Sequence, residues 1–321
     1  MLDTYFEASP DAGDDDAKWL RPRGSNQIGM SQFNERVVLQ AVRLHGSMPK
    51  ADLARLTNLS TQTVSLIINR LLEEGLVLKL APVRGKVGQP SVPIVLNPDG
   101  AFSIGIKIGR RSLDLLLVDF VGKTRERFSL SYRFPDPDTV FGQIEEQLAK
   151  IGALLGPQRL ARLRGIGIAA PMALGGWQNL LETAPSQANE WNGIDIRQRV
   201  QAMTALPVKF AKDTAAACVA ELVAGRGRSI KSFLYVFIDT FIGGGLVINS
   251  HLYGGMHGNA GAVGSVPLGL AEAGARAAPA QLLSDASLFN LEQLFSLGGL
   301  DPAAAYDARA LRPDYVTHTT A

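Results

Sequence analysis

The sequence predicts a winged helix-turn-helix followed by a mixed α/β domain of two related lobes, in a chain of 321 residues. Three observations carry this. Apolar residues recur at helical spacing three times before residue 75, then at strand spacing on both sides of a basic, glycine-rich stretch. From Ala101 onward, strand-like runs alternate with helical ones, the pattern of an α/β domain. Charge is also segregated: residues 1–20 hold six acids against Lys18, whereas residues 21–95 hold ten bases against four acids. A basic segment inside a chain whose formal net charge is only +2 is the usual footprint of phosphate binding.

Composition sets the outer limits. A hydrophobic fraction of 46% with 19% charged residues excludes a wholly disordered chain, and the length suits two domains. The single cysteine, Cys218, forms no internal disulfide and excludes a multi-cysteine zinc site, which predicts a reducing compartment. The start, Met1-Leu2-Asp3-Thr4-Tyr5, lacks the features of a signal peptide, and no run reaches the ~18 apolar residues that cross a bilayer. The expectation is a soluble, cytoplasmic protein with no membrane partner.

Residues 1–30, rich in Asp, Gly and Pro at the start, are expected as a disordered acidic tail. Residues 31–97 form the predicted winged helix-turn-helix and residues 98–321 the predicted sensor domain. The first helix begins near Gln32, with an apolar stripe through Phe33, Val37, Val38, Ala41, Val42 and Leu44. A second spans 50–57, burying Ala51, Leu53, Ala54 and Leu56, and a turn at 57–60 leads to a third over 61–74. Ser60 is its N-cap and Gly75 its stop. Strands at 76–80 and 92–96 flank the basic wing. Further strands are expected at 102–108, 113–119, 123–132, 165–169 and 208–211, with helices at 139–155 and 214–224. A hairpin pairs 233–239 with 244–249, and the last forty residues are helical and end early for such a fold.

In a helix-turn-helix the second helix of the pair enters the major groove, its N-terminal side chains facing the base edges. Here these are Ser60, Thr61, Gln62, Thr63 and Ser65, with Asn69 and Arg70 further along. Glutamine can bond adenine through two hydrogen bonds, and Ser and Thr serve bases or phosphates. Arg84 and Lys86 sit on a wing tip slim enough for a minor groove. The predicted partner is a double-stranded DNA operator, bound by a homodimer or higher homo-oligomer.

Several motifs in one order carry a resemblance. Asp52-Leu53-Ala54-Arg55-Leu56-Thr57, Thr63-Val64-Ser65 and Leu71-Leu72-Glu73-Glu74-Gly75-Leu76-Val77 resemble the DNA-binding module of regulators of the ROK family (repressors, open reading frames and sugar kinases). Ile104-Gly105-Ile106-Lys107-Ile108-Gly109, Ala211-Lys212-Asp213-Thr214, Gly243-Gly244-Gly245 and Gly258-Asn259-Ala260-Gly261 continue it, over roughly residues 32–300. The resemblance implies an actin/hexokinase-like fold with a sugar cleft between its lobes. It implies that Asp213 stands where the kinases hold their general base; Lys212 replaces the usual neighbouring asparagine and is expected to pair with Asp213, and Asp213, Lys212 and Asn259 are the expected effector-binding residues.

The departures from the family pattern point away from catalysis. Lys107 replaces the aspartate that manages the metal, and Arg110 and Arg111 replace small residues beside the phosphates. Phe241 replaces a glycine of the second phosphate motif, Gln89 the wing arginine. Gly261-Ala262-Val263-Gly264-Ser265 lacks the family's sugar-binding glutamate and zinc-ligating histidine, so neither zinc nor any cofactor is expected. His251 and His257 read as surface residues, Cys218 as a small core residue, and Gly243–Gly245 as a tight turn. The predicted function is a transcriptional regulator, a repressor of sugar-metabolism genes, with a catalytically dead sensor that binds a monosaccharide or sugar derivative. The alternatives are an active ROK kinase carrying a DNA-binding domain, and a DNA-binding protein whose degenerate sensor binds no small molecule.

Overall fold

The computed structural model describes residues 27–83, 91–172, 174, 190–256, 258–269 and 279–306. The N-terminal unit runs α1 (Gln27–His45), β1 (Met48–Pro49), α2 (Lys50–Thr57), α3 (Thr61–Glu73), β2 (Val77–Lys79) and β3 (Pro93–Leu96). The strands form a small antiparallel sheet in the order β1-β3-β2, with Val77 opposite Leu96 and Lys79 opposite Ile94. Val38, Val42, Leu53, Val64, Ile68, Leu71 and Ile94 fill its core and have no exposed surface. Each such side chain stabilises the fold by roughly 1.5–3 kcal/mol relative to exposure. Local signals fix the helix ends. Asn58 adopts φ 54° at the end of α2. At the end of α3, the Leu76 N–H reaches Leu71 O and the Gly75 N–H reaches Leu72 O, a Schellman closure around Gly75 at φ 71°.

Three sequence expectations need correction here. Helix α1 begins at Gln27, so residues 27–30 belong to a helix rather than to the tail. Phe33 is 60% exposed because α1 fully buries only Val38, Ala41 and Val42 of its apolar stripe. Ala51 and Leu56 are also exposed, since α2 is only two turns long and buries Leu53 and Ala54 alone.

The next sheet has five strands in the order β6-β5-β4-β7-β8. These are β4 (Phe102–Ile108), β5 (Ser112–Asp119), β6 (Thr124–Ser131), β7 (Leu163–Ala170) and β8 (Val208–Lys212). Strands β4, β5 and β6 pair antiparallel, whereas β7 and β8 run parallel to β4. Helix α4 (Pro137–Leu160) buries Val140, Phe141, Ile144 and Ile151 against the sheet; Gly156 at φ 65°, followed by Pro157, kinks it. A short α5 (Ile196–Gln201) follows, capped by Asp195.

Helix α6 (Asp213–Ala224) starts directly at the end of β8. It leads to a second antiparallel sheet in the order β11-β10-β9, made of β9 (Phe233–Ile238), β10 (Ile242–Ile248) and β11 (His251–Tyr253). Helices α7 (Leu282–Ala286) and α8 (Leu288–Leu297) and a 3-10 turn at Pro302–Tyr306 complete the described second lobe. The glycine triplet is a correction: Gly243–Gly245 lies inside β10, not in a turn. A Cβ on Gly243 would stand 2.6 Å from Thr214 Cγ2, and one on Gly245 would stand 2.5 Å from Cys218 Cβ. Helix α6 lies that close to the strand.

Candidate functional site

Two regions gather the predicted site residues. On α3, the Ser60 hydroxyl accepts the Thr63 N–H at 3.0 Å and meets the Thr63 hydroxyl at 2.8 Å. Ser60 is thus engaged as the cap. Thr61, Gln62, Leu66 and Asn69 form the exposed face, with Ser65 half-buried among them. Leu66 is 67% exposed and was not legible as a site residue; its signal is an apolar residue breaking the polar side of an amphipathic helix. A methyl group there suits thymine. Arg70 turns away from this face, pairing with Glu35 of α1 and, at 3.8 Å, with Glu74. Arg84, Lys86 and Gln89 lie outside the described residues.

The second region is where the two lobes face each other, around the N-terminus of α6. Asp213 is the first residue of α6, and its Oδ1 accepts the Thr214 N–H at 2.7 Å. Lys212 donates to Asn259 Oδ1 at 2.6 Å, so these two predicted residues meet across the cleft. Lys107, at the end of β4, pairs with Asp239 Oδ2 at 3.1 Å. Arg110 lies over the Phe241 ring at 5.1 Å and donates to Leu174 O at 3.1 Å. Burial pulls its pKa down to about 10, against the opposing pull of Asp213 and Asp239, so it stays charged at neutral pH. Arg111 grips Glu292 through 2.9 and 2.7 Å contacts, with Tyr306 completing the cluster.

The departures from the kinase pattern therefore meet one another. Arg110, from the first phosphate motif, packs on Phe241, from the second. An ammonium and a guanidinium stand where a metal-bound phosphate would need carboxylate and bare backbone. The residues present do not fit a magnesium nucleotide. Nor do Ala262 and Ser265, on the turn after Gly261, offer the nitrogen or sulfur donors a structural zinc requires. Cys218 is buried against β10, and burial lifts its thiol to about 11, which leaves it a core residue. Next to Asp213, the Thr214 hydroxyl is buried with no hydrogen-bond partner.

Burial is the main influence on Asp213 and raises its pKa, Asp239 adding to the rise; the Thr214 N–H, Lys107 and Lys212 pull it back. The folded state therefore holds this proton more tightly than the unfolded chain. That contribution is fully present below the unfolded value of about 3.9 and is lost as pH rises through the folded value. At neutral pH the charge is a cost, despite its favourable place at a helix N-terminus. Asp213→Asn is accordingly expected to melt above the parent at pH 7, the gap closing toward pH 4. A lower melting temperature for Asn at pH 7 would make the carboxylate a structural cap.

A model of the ROK family matches residues 103–281, more than half of the chain. The chain belongs to the ROK family. A winged helix-turn-helix DNA-binding model matches residues 34–77 of this ROK protein. The xylose repressor of Bacillus spizizenii is 27% identical over 248 residues, covering 76% of this chain and 62% of that protein. The chain thus spans about three fifths of the length of the curated relatives it matches. A ROK-family transcriptional regulator, described as a homologue of the Escherichia coli Mlc protein, aligns with a TM-score of 0.62 at 20% identity. That alignment covers 90% of this chain and 76% of the other. A ROK glucokinase from Streptomyces griseus, solved with glucose and AMPPNP, aligns with a TM-score of 0.50 at 21% identity over 68% of this chain and 74% of that one. The fold is that of a winged helix-turn-helix joined to the actin/hexokinase-like ROK fold. Among the described residues, no helix is long and apolar enough to cross a membrane.

Proposed function

We propose that this ROK protein is a DNA-binding transcriptional repressor of carbohydrate genes, whose kinase-derived domain binds a monosaccharide or sugar derivative without phosphorylating it. Residues 31–97 serve as the DNA-binding module and residues 98–321 as the sensor. The single observation that supports the loss of catalysis is the Arg110–Phe241 contact, which sets a guanidinium from the first phosphate motif 5.1 Å from a ring of the second. Repressor character is supported by the matching winged-helix model and by the xylose repressors among the relatives. In the cleft, the free oxygen of Asp213 and the Lys212–Asn259 pair are the groups available to sugar hydroxyls. On DNA, the exposed residues of α3 read the major groove, and a homodimer presents two copies to an inverted repeat.

The test combines two measurements on the purified chain. Incubation with ATP–Mg²⁺ and a panel of pentoses and hexoses is expected to yield no sugar phosphate. Selection from a random duplex pool is expected to yield a preferred sequence with dyad symmetry. Sugar phosphate formation that disappears in Asp213→Asn would establish an active kinase. Enrichment of no sequence would remove the repressor reading.

A further inference from the structure

The two lobes touch the DNA-binding module at one point in common, the last turn of α1. From the second lobe, Arg228 donates to Leu44 O at 3.1 Å. From α1 itself, Arg43 donates to Phe120 O at 3.1 Å, its guanidinium 5.5 Å above the Phe120 ring. Phe120 directly follows β5 of the first lobe and packs against the winged-helix core. One tie therefore leads to each lobe. The carbonyls of a last helical turn lack partners within the helix, so an arginine is a natural ligand for them. Arg43 and Arg228 nevertheless sit close enough for their like charges to lower the Arg43 pKa, second to burial. Their proximity opposes the electrostatics and is held by the surrounding structure.

Arg228 is rigidly attached to the candidate effector site. It closes the 3-10 turn Arg226–Arg228 that ends α6, the helix whose first residue is Asp213. That helix is about 18 Å long at 1.5 Å per residue, and it packs on β10 so closely that only glycine fits opposite Thr214 and Cys218. The turn has no slack. A Cβ on Gly227 would lie 2.5 Å from Leu222 Cα and 3.0 Å from the Phe233 ring, and the Arg226 N–H is held by Glu221 Oε1 at 2.8 Å. The link between module and domain is also pinned. Arg162 reaches Gly75 O, Asp99 O and Gly100 O at 3.3–3.5 Å, and Asn97 donates to Gly75 O at 2.7 Å.

We propose that the last turn of α1 is the joint at which the relative placement of the lobes is transmitted to the DNA-binding module, with Arg228 as the positioning residue that carries it. The proposal rests on the sensor reading above. An effector at Asp213 acts at one end of a stiff rod whose other end holds Leu44 O, while Arg43 keeps the same turn anchored to the first lobe. A change in interlobe angle then shears the α1 end, and α1 packs directly on α3. Coupling of this kind needs differential contacts in two states, and a 3.1 Å hydrogen bond at a lever end is broken by a displacement of about an ångström.

The test needs neither DNA nor sugar, so its failure is separable from failure of the repressor reading. Amide hydrogen exchange at residues 42–47 is followed in the full chain for the parent, Glu292→Gln, Arg228→Ala and the double variant. Glu292→Gln loosens the interlobe grip of Arg111 far from α1. It is expected to raise exchange in the α1 turn about tenfold where Arg228 is present. In the Arg228→Ala background it is expected to add nothing. Arg228→Lys, which keeps a charged donor, is expected to restore part of the response. Equal effects of Glu292→Gln in both backgrounds, or none at residues 42–47 in either, would overturn the proposal.

Discussion

Gly244→Ala is expected to destabilise the protein by about 3 kcal/mol, whereas Gly105→Ala raises stability by roughly 0.5–1 kcal/mol. Both glycines lie in strands of the ROK domain, β10 and β4. A Cβ on Gly244 would stand 2.5 Å from Tyr235 O, 2.9 Å from Gly261 O and 3.1 Å from Val263 Cγ2. Two of these neighbours are backbone oxygens on different segments, so no rotamer change relieves the clash; β9 or the Gly261 loop must move. A Cβ on Gly105 meets nothing within 4 Å, so alanine there only reduces the freedom of the unfolded chain. Urea unfolding at constant m-value measures both. A Gly244→Ala midpoint close to the parent's would mean that β10 is less tightly enclosed than its contacts imply. The expected contrast assigns the glycine triplet to packing of α6, β10 and the Gly261 loop, independent of any phosphate.

That distinction marks where the sequence stops being legible. A run of three glycines after a strand is equally the signature of a phosphate loop, a turn or a close packing contact, and only the neighbours decide. Local signals are more informative: the Ser60 cap, the αL Asn58 and the Gly75 closure each act within a few residues of themselves, and each lies where composition and spacing place it. Strands β4, β5, β7 and β8 are likewise legible from apolar patterning, and the strand-to-helix junction at Asp213 with them. Contacts that join distant segments are not. Nothing near Arg70 announces Glu35, and nothing near Arg110 announces Phe241. Exposure of Phe33 and Leu56 is hidden for the same reason, because a helix reports its apolar stripe but not how much of it a neighbour covers. The short β11 and α5 lack the length for a periodic signal.

Gln62→Ala and Arg70→Ala, both on α3, are expected to fail in opposite ways. Gln62 is an exposed second residue of the helix, placed to reach base edges, and alanine is at least as good a helix former there. Its removal is expected to weaken binding to a duplex selected from a random pool by ~1–3 kcal/mol, roughly 5–150-fold, with the loss concentrated at one base pair. The melting temperature and the salt dependence stay as in the parent. Arg70 holds Glu35, whose side chain is only 16% exposed, and Glu74 lies 3.8 Å away. Removing the guanidinium strands a largely buried carboxylate and its α1–α3 tie, so Arg70→Ala is expected to lower the melting temperature. Because the guanidinium is committed to carboxylates, the slope of log affinity against log salt should not change. Each phosphate contact contributes about 0.9 to that slope, so a decrease of that size in Arg70→Ala would place Arg70 on the DNA backbone instead. A uniform loss on all sequences with Gln62→Ala would take Gln62 off the base edges, leaving Leu66 and Asn69 as the readers on that face.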